Sequence, residues 1–241
     1  SGDAEQDQPE ILPEIYTSFK GEPGAMPLLR GRWGLEASTL GLRRDGDGQD
    51  VNRVGAKADW YRRLVSDYGF LTTANAAARW DFYSVRNRNV STPGSGIDNS
   101  STDARFFPNF NVQSSYPFAK EYERMQARLE PVVGLTFAQN INVNDDIPNE
   151  DSQDVQLDAS NLFEANRFPG YDLIEDTSNI TYGMRTGLYG HQGSFGEVFV
   201  GQSYRFDEED TPFPEGSGLI NQESDWVGQI SGQYDDLYRL D

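Results

Sequence analysis

Chemistry in this chain would have to come from carboxylates, arginines and a single histidine. That histidine, His191, sits in Gly190–His191–Gln192–Gly193, a turn composition, and reads as an exposed loop residue. A Ser-His-Asp site would need it, yet no G-x-S-x-G elbow occurs. Zinc motifs built on two histidines are ruled out, and with no cysteine there is neither a disulfide nor a thiolate metal site. No P-loop occurs, and no G-x-G-x-x-G follows a strand. Asp45–Gly46–Asp47–Gly48–Gln49–Asp50 opens like a calcium loop. It lacks the sixth-position glycine and the twelfth-position glutamate, so it reads as a hairpin turn. Carboxylate pairs suited to glycoside hydrolysis abound, but nothing singles one out. The expectation is therefore no catalytic residue, no metal, no cofactor and no enzyme.

The informative charges are those at fixed places on strands. Arg128, Glu130, Arg185, Glu197 and Arg205 each lie on a strand face opposite an apolar one. Facing lipid near the midplane, such charges would cost about 2–4 kcal/mol each, so they must face water. Their structural role is pairing across neighbouring strands; their functional role would be lining a path for charged sugars. The opposite faces carry Leu129, Val133, Leu135, Ile180, Tyr182, Val198 and Val200, which are the candidates to meet lipid.

The elements holding these residues are strands, because the hydrophobic pattern has period two. The clearest run is Arg128–Gln139. Asn179–Leu188, Glu197–Phe206 and the stretch from Trp226 to Asp235 behave likewise. In Thr72–Ser84, Ala74, Ala76, Ala78, Trp80 and Phe82 oppose Asn75, Arg79 and Asp81. Weaker strands read at Ile11–Phe19, Leu28–Arg43, Arg53–Val65 and Phe106–Tyr116, for about nine or ten in all. No long segment shows a 3.6-residue stripe. The best helical candidate is one short turn at Asp158–Asn166, with Ser160 as its cap. Connections alternate between tight turns and long polar stretches at Arg88–Asp103, Asn140–Ser160 and Asp207–Ser224. The acidic runs Asn149–Glu150–Asp151 and Asp207–Glu208–Glu209–Asp210 read as solvated loops, or alternatively as divalent-cation bridges to anionic glycolipid.

Composition narrows the class. Of the 241 residues, 36% are hydrophobic and 12% aromatic, and the mean hydropathy is −0.69. Aromatic content argues against disorder. Yet a soluble domain is usually about 45–50% apolar, so most strands have one polar face or the loops are long. A net charge of −19 excludes nucleic acid as a partner. No signal peptide stands at Ser1, and no apolar run approaches the ~18–20 residues of a membrane helix. Barrel strands cross with only about 9–11 alternating residues, which a hydropathy window misses. Gly, Ser, Thr, Gln, Arg and Glu on the polar faces suit a wet lumen. Tyr204, Phe206, Trp226 and Tyr234 stand near strand ends, where interfacial girdles form. The pattern fits an all-β transmembrane barrel of antiparallel up-and-down strands. A soluble acidic β-sheet protein that binds carbohydrate stays open as an alternative.

Several motifs are more specific than the pattern. RLEPVVGLTF (Arg128–Phe137), NLFEANRFPGYDLIED (Asn161–Asp176), SNITYGMRTGL (Ser178–Leu188) and VFVGQSYRF (Val198–Phe206) occur in that order. Together they resemble four consecutive pieces of the lipopolysaccharide-assembly family LptD, also called organic solvent tolerance protein. Arg32–Arg62 resembles a strand-turn-strand of alphaproteobacterial members, and Arg105–Phe118 fits as well. The resemblance implies a segment of a larger outer-membrane barrel in a Gram-negative cell. Lipopolysaccharide would be inserted into the outer leaflet, its sugars in a polar lumen and its acyl chains leaving laterally into outer-membrane lipids. It implies an LptE-like plug lipoprotein and a periplasmic LptA-like bridge protein as partners, with energy supplied from the inner membrane. The family's N-terminal periplasmic jelly-roll and the barrel C-terminus have no counterpart here, and the cysteines of its best-known members are absent. A porin or receptor barrel without any lipopolysaccharide role would share the alternation but not these motifs.

Overall fold

The computed structural model describes residues 10–22, 30–44, 49–87, 100–141, 147–190, 193–207, 213–234 and 238–240. Alternating side chains give eleven strands among them: β1 (Glu10–Gly21), β2 (Arg32–Arg43), β3 (Asp50–Val65), β4 (Leu71–Arg86), β5 (Ser101–Ser115), β6 (Phe118–Glu121), β7 (Met125–Ala138), β8 (Asn179–Gly190), β9 (Phe195–Arg205), β10 (Val227–Tyr234) and β11 (Tyr238–Leu240). The expected strands all appear. The short β6 was not expected, because its four residues are all exposed and no alternation marks them. The Asp45–Gly48 turn, His191 and most of Arg88–Asp103 lie outside the described residues, as does the acidic run beyond Asp207.

Chain packing defines two compact units. The first comprises Ser1–Trp60, Ala77–Pro108 and Asp145–Ile147; the second Tyr61–Ala76, Asn109–Asn144 and Pro148–Asp241. In the first unit β1 pairs antiparallel with β2, and β3, β4 and β5 follow in chain order. One face is apolar and exposed, with Phe19, Leu35, Val54, Trp80, Phe82 and Phe106. The other is buried although it is rich in charge: Arg53, Arg79, Asp81 and Arg105 lie beside Val51, Tyr83, Val85 and Phe107. Asp81 accepts from Arg79 Nε at 3.0 Å and from Arg105 Nε and Nη2 at 3.0 and 2.7 Å. Arg105 also donates to the Tyr83 hydroxyl at 3.2 Å. A buried carboxylate shared by two guanidiniums meets the requirement that interior charge be paired.

In the second unit the order is β5-β7-β8-β9-β10-β11, with β6 pairing to β7 alone. These ladders are antiparallel. β8 and β9 meet through a tight connection, where Gly190 N–H donates to Ser194 O at 2.7 Å. β7 and β8 are joined instead by residues 139–178, and β9 and β10 by 206–226. The described parts of those connections, 147–178 and 213–226, do not all sit in solvent as their polarity suggested. They fold onto the polar face of β7–β10 and build two small cores. One holds Val155, Phe168, Phe213 and Leu219; the other brings Leu162 against Phe199 and Val227.

Candidate functional site

Register rows order the covered face of β7–β10. The first crosses Arg128, Gly187, Glu197 and Ser231, and the second Glu130, Arg185, Phe199 and Gln229. Next come Val132, Gly183, Gly201 and Val227, then Gly134, Thr181 and Ser203, then Thr136, Asn179 and Arg205. The face is thus charged toward the tight β8–β9 turn, apolar and glycine-rich in the middle, and polar toward the long connections.

The five charged residues singled out from the sequence share this face but not one environment. Arg128 is half-buried and paired with Glu130, which is buried and accepts from Ser115 Oγ at 2.7 Å. Arg185 meets Glu197 across strands at 3.2 Å and lies over the Phe199 ring at 5.6 Å. Glu197 also accepts from the Tyr189 hydroxyl. Arg205 is separated from these four and buried beneath the long connections, donating through Nη2 to Ile220 O at 2.9 Å. On the opposite face Leu129, Val133, Tyr182, Val198 and Val200 are exposed, while Leu135 and Ile180 are half-buried.

Over the middle row the absence of side chains admits the covering segment. A Cβ on Gly201 would lie 2.6 Å from the Leu162 side chain, so glycine there makes the seat that Leu162 fills. Beside it Arg167 and Glu175 form an ion pair whose side chains are 2% and 1% exposed. Arg167 Nη2 donates to Leu162 O at 3.0 Å and to Ser203 Oγ at 3.1 Å, binding the segment to itself and to β9. Burial pushes the Glu175 carboxyl above the usual carboxylate range, against the pull of Arg167.

The far end of the segment is closed by a reciprocal clasp. Asp151 Oδ1 accepts from the backbone N–H of Tyr171 and Asp172, at 2.8 and 3.1 Å. Asp172 Oδ2 accepts from those of Glu150 and Asp151, at 2.8 and 3.0 Å. Ser152 Oγ accepts from Asp172 and Leu173. The acidic run at 149–151 is therefore structural rather than merely solvated, which corrects the sequence reading. Gly170 makes the clasp possible: its φ is +85°, and a Cβ would stand 2.6 Å from Asp151 O. Gly170→Ala should cost roughly 1–3 kcal/mol in strain and raise proteolytic cutting within 147–178, read by timed digestion of the purified protein.

The expected helical turn at Asp158–Asn166 is a non-helical turn, and its cap is Asp158 rather than Ser160. Asp158 Oδ1 accepts from Ser160 N, Ser160 Oγ and Asn161 N at 2.7, 2.6 and 3.0 Å. Those bonds, the Ser160 hydroxyl first, hold its carboxyl below the ordinary range. Sequence reasoning also missed Arg105, Arg167 and Glu175. For Arg167 and Glu175 the available signal was the large apolar residues Leu162, Phe163, Phe168 and Ile174, which follow the polar stretch Asn140–Ser160 and precede β8.

The family model for LptD, described as LPS transport system D, matches residues 1–241. The chain belongs to the LptD family. It is 27% identical to the LPS-assembly protein LptD of Methylococcus capsulatus, covering 72% of this chain and 18% of that protein. It is 29% identical to the LPS-assembly protein LptD of Alkalilimnicola ehrlichii, over 79% of this chain and 25% of the relative. With that of Thiobacillus denitrificans the identity is 25%, over 74% and 24%. The chain spans a quarter or less of the length of these relatives. Its all-β antiparallel strands belong to the outer-membrane β-barrel class of that family.

Proposed function

We propose that this chain forms an arc of barrel wall in an outer-membrane protein that assembles lipopolysaccharide into the outer leaflet. The observation that carries the reading is the inverted burial of the sheet. Leu129, Met184, Val198, Val200 and Ile230 are exposed together on one face, while Glu130, Asn179, Thr181, Ser203 and Arg205 are buried on the other. Exposed apolar area continuous over several strands is rare on soluble monomers and is what hydrocarbon demands. Long connections at one strand end and a tight turn at the other fit the outer and periplasmic sides respectively. On this reading the half-exposed Arg128, Arg185 and Glu197 sit on the periplasmic side of a polar lumen. There they contact the sugar head, which cannot cross hydrocarbon unaided. Lipid leaves sideways, and an LptE-like plug lipoprotein and an LptA-like bridge protein complete the route.

The test is site-specific photo-crosslinking from positions 128 and 185 in the full-length protein in cells. The expected result is lipopolysaccharide adducts that vanish when supply from the inner membrane stops. Adducts with small solutes alone would assign the wall to a pore instead.

A further inference from the structure

Two short turns of the second unit lie at one end of its sheet. Tyr122 N–H donates to Met125 O at 2.8 Å where β6 returns into β7, and Met125 pairs with Gly190, where β8 turns toward β9. Close to them one register row of the exposed apolar face runs Lys120, Ala127, Leu188, Gly196, Gly232, Leu240. Between the two leucines the row holds only glycine, so two adjacent strands present bare backbone, a floor roughly 10 Å wide. A Cβ on Gly196 would meet nothing within 4 Å. A shallow depression of about 510 Å³ opens there, its lining including Arg124, Met125, Leu188, Gly232, Tyr234 and Leu240.

Charge and depth say what covers it. Arg124 is exposed and makes no ion pair among the described residues. Lys120, also exposed, holds its amine 5.1 Å from the centre of the Tyr122 ring. Two cations beside an apolar bed, in a chain of net charge −19, suit a ligand with an anionic head and apolar tails. Toward the long connections the same face turns aromatic, with Phe137, Tyr182, Tyr204 and Phe206. Gly196 stands eight residues from Tyr204 along the chain. That is roughly 20 Å along the normal of a tilted barrel strand, near the far border of an apolar band about 25 Å tall. Resting on the outer-membrane reading above, we propose that the depression seats one anionic phospholipid of the periplasmic leaflet, its acyl chains on the glycine floor and its phosphate on Arg124 and Lys120. Lipopolysaccharide shares this chemistry, but on that reading it enters the leaflet at the opposite end.

The test is photo-labelling of the full-length protein in phosphatidylcholine vesicles doped with a diazirine-bearing phosphatidylglycerol. Adducts are expected to concentrate at Met125, Leu188 and Tyr234, and unlabelled phosphatidylglycerol should displace them better than phosphatidylcholine. Gly196→Leu fills the floor without collision and should abolish these adducts while the heat-modifiable barrel persists. Arg124→Gln should lower the preference for phosphatidylglycerol about five-fold. Even labelling over the whole apolar face, unchanged in Gly196→Leu, overturns the proposal, as does displacement by lipopolysaccharide but not by phosphatidylglycerol. Adducts at Met184 and Val200, on the same face but away from the depression, report lipid contact in general. Their presence without adducts at the depression sinks the seat alone; their absence sinks the membrane reading with it.

Discussion

Arg167→Met should release the β7–β8 connection from the sheet. The substitution keeps most of the side-chain volume but strands Glu175, 1% exposed, without its cation. Breaking a buried pair from one side costs about 3–5 kcal/mol, most of it the penalty on the remaining charge. The defect should also depend on pH. Without Arg167 the folded-state pKa of Glu175 rises further above its unfolded value, which is about 4.3. The penalty is then absent below that value and grows as pH rises through the window above it, because only the unfolded chain is free to ionise. Digestion within 147–178 should accordingly be fast at neutral pH and slow toward pH 4. The double change Arg167→Met with Glu175→Leu should restore protection at both. Equal protection of Arg167→Met and the unaltered protein at neutral pH would show that the pair does not hold the segment.

The second large effect lies on the opposite face. Val200 is 43% exposed in the register row of Pro131, Met184 and Gly228, midway along β7 and β8. Val200→Arg should cost about 2–4 kcal/mol if this face meets the hydrocarbon midplane. The expected result is loss of the heat-modifiable species from outer membranes and degradation of the protein. Gln229→Arg, on the other face of β10 beside Phe199, should be tolerated. Equal tolerance of the two would mean that the apolar face is solvated, and the membrane reading would fall.

Much of the sheet was legible because alternation is a strong local signal. The run read as Arg128–Gln139 is β7 at Met125–Ala138, and Asn179–Leu188 is β8 at Asn179–Gly190. Which residues share a face followed directly, so Arg128, Glu130, Arg185, Glu197 and Arg205 do lie on one side. What covers that side was not legible. Arg167 and Glu175 pair across eight residues, and Asp151 reaches Tyr171 and Asp172 across about twenty. Neither separation belongs to a helix or strand period, and the same acidic composition suits a solvated loop. The depth of Arg205 followed from those connections, so its alternation alone placed it beside Arg185 in kind. It stands instead with Arg167 and Asn179, three register rows away from Arg185.

The spacing of β7 and β8 also has a kinetic side. Thr136 pairs with Asn179, so the first ladder contact of this hairpin must span the whole of residues 139–178, whereas Tyr189 and Phe195 are brought together by a few residues. That is roughly three doublings of loop length, about 2 kcal/mol of closure entropy. β8 and β9 should zip first and offer a ready edge. β7 should then add only once the intervening stretch has collapsed around Leu162 and Phe168, which makes docking of that stretch the slow step in completing this part of the wall.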